Sequence, residues 1–181
     1  MYSMNNHDLS DQIKGNIRDI KDFPREGIVF KDLTTLFNNA NVFNSLTDHL
    51  VQYYKSKNIT KVIGIEARGF ITAGALANKL NVGFVPIRKK GKLPYKVLSK
   101  TYSLEYGTDK IEIHADALSN DDVVLLHDDV LATGGTVNAA IELLKEIGVK
   151  KIYINFICEL SFLKGRNNID DEIEVYPVVT Y

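Results

Sequence analysis

The chain has 181 residues, 45 % of them hydrophobic and 25 % charged, and its 22 basic and 23 acidic side chains give a formal net charge of -1. That size and balance fit a single soluble domain that needs neither disulfide nor metal to fold, and they argue against a nucleic-acid coat or a membrane-surface protein. A lone cysteine, Cys158, excludes internal disulfides and cysteine-rich metal sites; no apolar stretch nears the roughly 20 residues of a membrane span.

The polar first residues carry no apolar signal-peptide core, so a cytoplasmic location is expected. Ile13, Ile17 and Ile20 recur at helical spacing and predict an N-terminal helix. Phe23-Pro24-Arg25-Glu26-Gly27 reads as a loop, and residues 42–56 as a second helix with Phe43, Leu46, Leu50 and Tyr53 on one face. The pattern then changes. Short apolar runs at 61–65 (KVIGI), 82–87, 123–126 (VVLL) and 152–157 (IYINFI) alternate with helical segments that end near Leu80 and Ile147. Such alternation predicts an α/β fold, a doubly wound, mainly parallel sheet flanked by helices. Residues 102–107 and 110–114 predict the two strands of an exposed, mobile hairpin, an inserted flap over about residues 95–115. In such sheets ligands lie beyond the carboxyl ends of the strands, which directs attention to the loops after Ile65, Ile87 and Leu126.

The loop after Leu126 carries the strongest signal. An apolar strand delivers two adjacent acids, Asp128 and Asp129, followed by Ala132-Thr133-Gly134-Gly135-Thr136 and a helix. The glycines let backbone N–H groups approach an anion, the helix N-terminus favours negative charge, and two threonine hydroxyls can donate. Carboxylates repel phosphate but accept hydrogen bonds from a vicinal diol. Together these features describe a site for a ribose 5-phosphate. The spacing fits neither a Walker A loop, which needs a lysine after its glycines, nor a dinucleotide fingerprint. Any one element alone reads as a turn or helix cap.

The segment 124–136 resembles the phosphoribosyl-pyrophosphate (PRPP) motif of the type I phosphoribosyltransferases. The resemblance runs from about Ile20 to the C-terminus. It includes Phe23-Pro24 with residues 27–32, Glu66-Ala67-Arg68-Gly69-Phe70, residues 87–94, residues 102–107, and Glu159-Leu160 with Leu163-Lys164-Gly165-Arg166. Within the family it is similar to the members whose acceptor base is adenine. The resemblance implies a small N-terminal hood over about residues 1–35 and Mg2+-dependent transfer of the phosphoribosyl group from PRPP to adenine, giving AMP and pyrophosphate in purine salvage. It implies a homodimer, with no nucleic-acid or membrane partner.

On that resemblance, Glu66, Ala67, Arg68 and Gly69 form the pyrophosphate loop, with a strained peptide exposing backbone N–H groups. A single arginine at a helix start is otherwise more often a solvent-facing residue. Arg88, Lys89, Lys90, Lys92 and Lys96 make a dense basic loop, ordinarily a solvated face. The resemblance implies that part of it reaches the neighbouring subunit's pyrophosphate, with Lys89 and Lys92 favoured. Val29, Phe30 and Lys31 take the base: Phe30 stacks on it, and the backbone of Val29 and Lys31 reads its edge, although spacing alone favours core packing for Phe30. Many relatives carry arginine where this chain has Lys31. Glu105 shuttles a proton at a purine nitrogen, and Tyr106 closes the lid or bonds the pyrophosphate. Mg2+ is held mainly by substrate oxygens and water, with no protein ligand assigned.

His7, His49, His114 and His127 lack metal-site spacing. His127 replaces the usual apolar residue before the acidic pair and is expected to pack in the sheet, as is Cys158. Two other readings fit the sequence. One is a transferase for an oxopurine, which commonly presents a lysine to the 6-oxo group. The other is a PRPP-sensing regulator that binds DNA, for which some twenty residues before the hood leave no room for a winged helix.

Overall fold

The computed structural model describes residues 6–103 and 108–181. It divides into two units, one up to Tyr53 and one from Tyr54 onward. Glu105 and Tyr106 lie outside the described residues.

In the first unit, α1 (Asn6–Gly15) buries Leu9 and Ile13, one turn apart. The predicted helix through Ile20 stops at Gly15, because glycine is a poor helix residue and the Asn16 amide turns back to donate to the Gln12 carbonyl (2.9 Å). Ile20 belongs instead to strand β1 (Arg18–Lys21), antiparallel to β2 (Val29–Asp32) and opposite Phe30. Helices α2 (Thr34–Asn38) and α3 (Ala40–Tyr54) follow. Val42, Leu46, Leu50 and Tyr54, each four apart, make the buried stripe of α3, so Tyr54 takes the place predicted for Tyr53.

Asp32 holds the end of this hairpin. It accepts hydrogen bonds from the Thr34 hydroxyl (2.7 Å) and N–H (2.9 Å) and from Arg18 Nη2 (2.6 Å). The Thr34 hydroxyl and Arg18 lower its pKa from 3.8 to about 2. A carboxylate with a depressed folded pKa stabilises the fold above its unfolded value, and that contribution disappears as pH falls through the folded value. Thermal melts should therefore show Asp32→Asn less stable than wild type at neutral pH, with the gap closing between about pH 4 and pH 2. A gap independent of pH would contradict the assignment.

The second unit contains β3 (Lys61–Ile65), α4 (Gly69–Leu80), β4 (Gly83–Lys89), β5 (Val97–Ser103), β6 (Thr108–His114), β7 (Val123–Leu131), α5 (Gly135–Ile147), β8 (Lys151–Glu159) and β9 (Glu174–Thr180). They form one seven-stranded sheet in the order β5-β6-β4-β3-β7-β8-β9. The five strands from β4 to β9 in that order are parallel, and β6 runs antiparallel to β4 and β5. This is the mainly parallel α/β sheet that the alternating apolar runs predict. Ile63, Val124, Leu126, Ile154 and Phe156 of the sheet pack with Ala140, Leu143 and Leu144 of α5 in one core.

The hairpin differs from its prediction. Its first strand starts at Val97 rather than Tyr102, and its second strand places Ile111 and Ile113 in the core. It is thus partly buried rather than an exposed flap, because β6 continues the sheet by pairing with β4 at Lys89↔Ile111. Among the described residues no helix is long and apolar enough to cross a membrane.

Candidate active site

β7 runs on past the predicted 123–126 to Leu131 and so carries Asp128 and Asp129 itself; successive side chains of a strand face opposite sides of the sheet, which separates His127 from Asp128. His127 is fully buried, with Nδ1 2.7 Å from Asn155 Oδ1, and the Asn155 amide donates to the Tyr176 carbonyl (2.7 Å). Burial lowers the His127 pKa to about 4, so it is a neutral packing residue at physiological pH. Cys158 is buried in the neighbouring strand, as expected.

Asp128 and the loop that follows β7 enclose a pocket of about 80 Å³, lined by Asp128, residues 130–137 and Phe156. A second pocket of about 260 Å³ is lined by Glu66, Arg88, Lys89, Tyr102, Asp109, Asp128 and Thr136, over Ile65, Ile87 and Ile111. Asp128 and Thr136 line both, so the two pockets adjoin. The structure thereby brings together the loop after β3, the carboxyl-end residues of β4, and β7 with the loop that follows it.

Each cation in this region faces a carboxylate. Arg68 Nε lies 2.7 Å from Asp129 Oδ2. Arg88 donates to Glu66 through Nε (3.2 Å) and Nη2 (3.1 Å), and the Lys89 N–H adds a third bond to Glu66 (3.0 Å). Lys89 Nζ lies 3.0 Å from Asp109, which also accepts from the Tyr102 hydroxyl (3.3 Å). Burial opposes ionisation of Glu66, but Arg88 and the Lys89 N–H outweigh it and its pKa is lowered. Burial, reinforced by the neighbouring Asp129 carboxylate, pushes Asp128 well above the usual range. Burial also raises Asp129, against the pull of Arg68. Ligand hydroxyls donating to this pair, or a cation beside it, would restore the ionised form.

Close backbone approach builds the cradle. A Cβ on Gly69, the first residue of α4, would sit 2.9 Å from Asp128 Oδ1 and 3.1 Å from the His127 carbonyl oxygen, so a larger residue would crowd the approach of the loop after β3 to β7. The Glu66–Ala67 peptide that precedes it is cis. Gly134 has φ +83° and leads into α5.

Lys89 and Lys92 are both exposed; Lys89 also lines the pocket of about 260 Å³, and the Lys92 carbonyl accepts from Arg88 Nη1 (3.1 Å). In the first unit, Val29 is exposed and Lys31 Nζ lies 2.6 Å from Asp19. Phe30 is half-buried, edge-on to Phe23 at 5.2 Å between ring centroids, rather than a core residue. Beyond β1, β2 has no strand neighbour among the described residues.

Asp109 is the main residue of the pocket that sequence reasoning missed. It falls in the turn between the two predicted strands, whereas the observed strand starts at Thr108 and its register sets Asp109 opposite Tyr102.

The family model described as a phosphoribosyl transferase domain matches residues 32–178. The adenine phosphoribosyltransferase of Bacteroides thetaiotaomicron is 54 % identical over 91 % of this chain and 94 % of its own. A crystal structure of adenine phosphoribosyltransferase from Rhodothermus marinus is similar at a TM-score of 0.90 and 44 % identity, covering 96 % of this chain and 98 % of that one. The enzyme of Giardia lamblia complexed with 9-deazaadenine gives a TM-score of 0.90 at 44 % identity, covering 99 % of both chains. Likeness of this degree along nearly the whole length, over a sheet whose loops converge on paired pockets, places the chain in the adenine phosphoribosyltransferase family.

Proposed function

We propose that the chain transfers the 5-phosphoribosyl group from PRPP to adenine, giving AMP and pyrophosphate, as a purine-salvage enzyme of the cytoplasm acting as a homodimer. The observation that carries this reading is the pair of adjoining pockets joined at Asp128 and Thr136. The glycine-rich one suits a phosphate monoester, the cation-lined one a diphosphate, and the acids between them a ribose.

In this reading the N–H groups and hydroxyls of residues 132–136 hold the 5′-phosphate. Asp128 and Asp129 accept hydrogen bonds from the ribose 2′- and 3′-hydroxyls. Arg88 and Lys89 take pyrophosphate oxygens, and Arg68 faces them from the loop of Glu66, Ala67 and Gly69. The bond from C1 of the ribose to the pyrophosphate oxygen breaks with its electron pair leaving on pyrophosphate, and C1 gains oxocarbenium character. Adenine N9 bonds to C1 from the opposite face, and its proton passes to Glu105. The negative charge of Asp128 and Asp129 favours the developing ribosyl cation. Val29, Phe30 and Lys31 hold the base, Phe30 by its ring and the other two through the backbone. Tyr106 closes over the pyrophosphate side. Lys92, exposed on its turn, reaches the pyrophosphate of the other subunit of the homodimer in this reading.

A half-buried acid, Asp128, and a buried one, Asp129, beside an anion pocket fit Mg2+, which prefers one or two carboxylates together with phosphate oxygens and water. Asp128 and Asp129 would hold it through water, and when bound it neutralises charge on the leaving pyrophosphate. Among the described residues no cluster of three or more His, Cys, Asp or Glu could cage a metal by itself.

Replacing Lys89 by alanine leaves Asp109 with the Tyr102 hydroxyl and the Lys110 N–H as donors and removes a charged contact to pyrophosphate worth about 1.5–3 kcal/mol. The KM for PRPP, and for pyrophosphate in the reverse reaction, should rise by about ten-fold or more with the KM for adenine unchanged. An equal rise for adenine would contradict the assignment. The function itself is tested by supplying adenine, hypoxanthine and guanine separately with PRPP and Mg2+. AMP from adenine alone is expected; product from an oxopurine instead would overturn the base assignment, and PRPP binding without turnover would point to a sensor.

A further inference from the structure

The segment after β8 forms a short 3-10 turn, Gly165–Asn168, against the glycine-rich loop. A Cβ on Gly165 would strike the Ala132 carbonyl oxygen and lie 3.0 Å from the Gly134 nitrogen, while a Cβ on Gly134 would strike the Gly165 carbonyl oxygen. The two glycines therefore meet backbone to backbone. Beside them, Asn168 Nδ2 donates to the Thr133 carbonyl (2.7 Å). Arg166 places Nε (3.0 Å) and Nη2 (2.5 Å) on the two carboxylate oxygens of the nearly buried Glu159, and Nη1 on the Val175 carbonyl (3.4 Å). Glu159 ends β8 opposite Leu131 of β7, whose carbonyl accepts from the Leu160 N–H (2.9 Å). Neither Arg166 nor Asn168 lines the pocket.

A peptide unit is planar and trans, so its C=O and N–H point in opposite directions. Holding the Thr133 carbonyl at Asn168 turns the Gly134 N–H to the far side, and holds it there before any ligand arrives. Glycine has the most backbone freedom to lose, so an unbraced Thr-Gly-Gly-Thr loop would have to order on binding.

We propose that Asn168, on a turn anchored by the Arg166–Glu159 pair, is a positioning residue for 5′-phosphate recognition: it fixes the Thr133–Gly134 peptide from outside the pocket. This rests on the assignment of residues 132–136 as the phosphate cradle. Arg166 and Glu159 keep the turn in place, and Gly165 permits its approach.

Asn168 is exposed, so its replacement should leave the fold intact. Ribose 5-phosphate, adenine and PRPP are the probes, used with wild type, Asn168→Ala, the near-isosteric Asn168→Asp, which lacks the donor, and Arg166→Lys, which keeps charge but loses the fork. Calorimetry should show ribose 5-phosphate weakened about three- to ten-fold in both Asn168 variants, the effect of one neutral hydrogen bond, and at least as much in Arg166→Lys. The KM for PRPP should rise to match, while adenine affinity, kcat at saturating PRPP and the melting temperature of the Asn168 variants stay at wild-type values. Unchanged ribose 5-phosphate affinity in the Asn168 variants overturns the brace alone. Equal weakening of adenine and ribose 5-phosphate also overturns it, since a general disturbance would do the same. A wild-type protein that binds no ribose 5-phosphate overturns the cradle assignment and the brace with it.

Discussion

Asp128→Asn combined with Asp129→Asn should reduce kcat/KM for PRPP by about 10²–10⁴ without unfolding the protein, from the loss of two charge-assisted hydrogen bonds of about 1.5–3 kcal/mol each. An amide keeps the shape and one acceptor oxygen, and Asp128 Oδ1 already accepts the Asp129 N–H (2.9 Å), a bond that an Asn carbonyl can retain. Stability should move the other way. Burial and the Asp129 carboxylate raise the Asp128 pKa well above 3.8, so folding disfavours the charged form. A group whose folded pKa is raised contributes stability below its unfolded value and loses it as pH rises through the folded one. At neutral pH Asp128→Asn should therefore melt at or above the wild-type temperature while its activity falls. The two single variants should not add, because neutralising Asp129 also relieves Asp128 and leaves Arg68 without its carboxylate partner. Retained activity, or a fall in activity matched by a lower melting temperature, would contradict the diol role.

Gly134→Ala carries the largest expected structural effect. The left-handed backbone at φ +83° costs an alanine about 1–2 kcal/mol, and forcing its methyl against the Gly165 carbonyl adds about 1–3 kcal/mol of overpacking. At about 2–4 °C per kcal/mol for a chain of this length, the melting temperature should drop by about 5–15 °C, and ribose 5-phosphate binding should fall with it. Gly165→Ala should do similar damage without the backbone penalty, since its methyl meets the Ala132 carbonyl in the same contact. Combining the two should cost less than their sum. Differential scanning calorimetry with a ribose 5-phosphate titration checks both; an unchanged melting temperature for Gly134→Ala would contradict the close approach.

The sheet was legible because a strand covered on both faces must be apolar throughout, and 61–65, 123–126 and 152–157 satisfy that without ambiguity. The glycine-rich loop after β7 was legible because its residues are local: acids, threonines and glycines follow one another on a single strand–helix junction. Ile20 misled because the spacing of Ile13, Ile17 and Ile20 fits a helix, and only the pairing with Phe30 makes it a strand residue. Ile111 and Ile113 alternate as an edge hairpin would, and the addition of β6 to β4 is what buries them. Phe30 was drawn toward the core by its hydrophobicity, whereas its partner is an exposed ring, Phe23. The contacts of Asp109 with Lys89 and of Gly165 with Gly134 join distant segments. Nothing local in the chain announces them, although Leu163-Lys164-Gly165-Arg166 stood out by resemblance without a role attached.

In the reading proposed above, two adjoining pockets divide one substrate between phosphate and pyrophosphate, with the acidic pair at the ribose between them. A crystal structure with AMP and pyrophosphate bound tests this most directly. The 5′-phosphate is expected against the N–H groups of residues 133–136, the ribose hydroxyls within hydrogen-bond distance of Asp128 or Asp129, and pyrophosphate against Arg88 and Lys89. A 5′-phosphate seated on Arg88 and Lys89, or a ribose turned away from both acids, would contradict it.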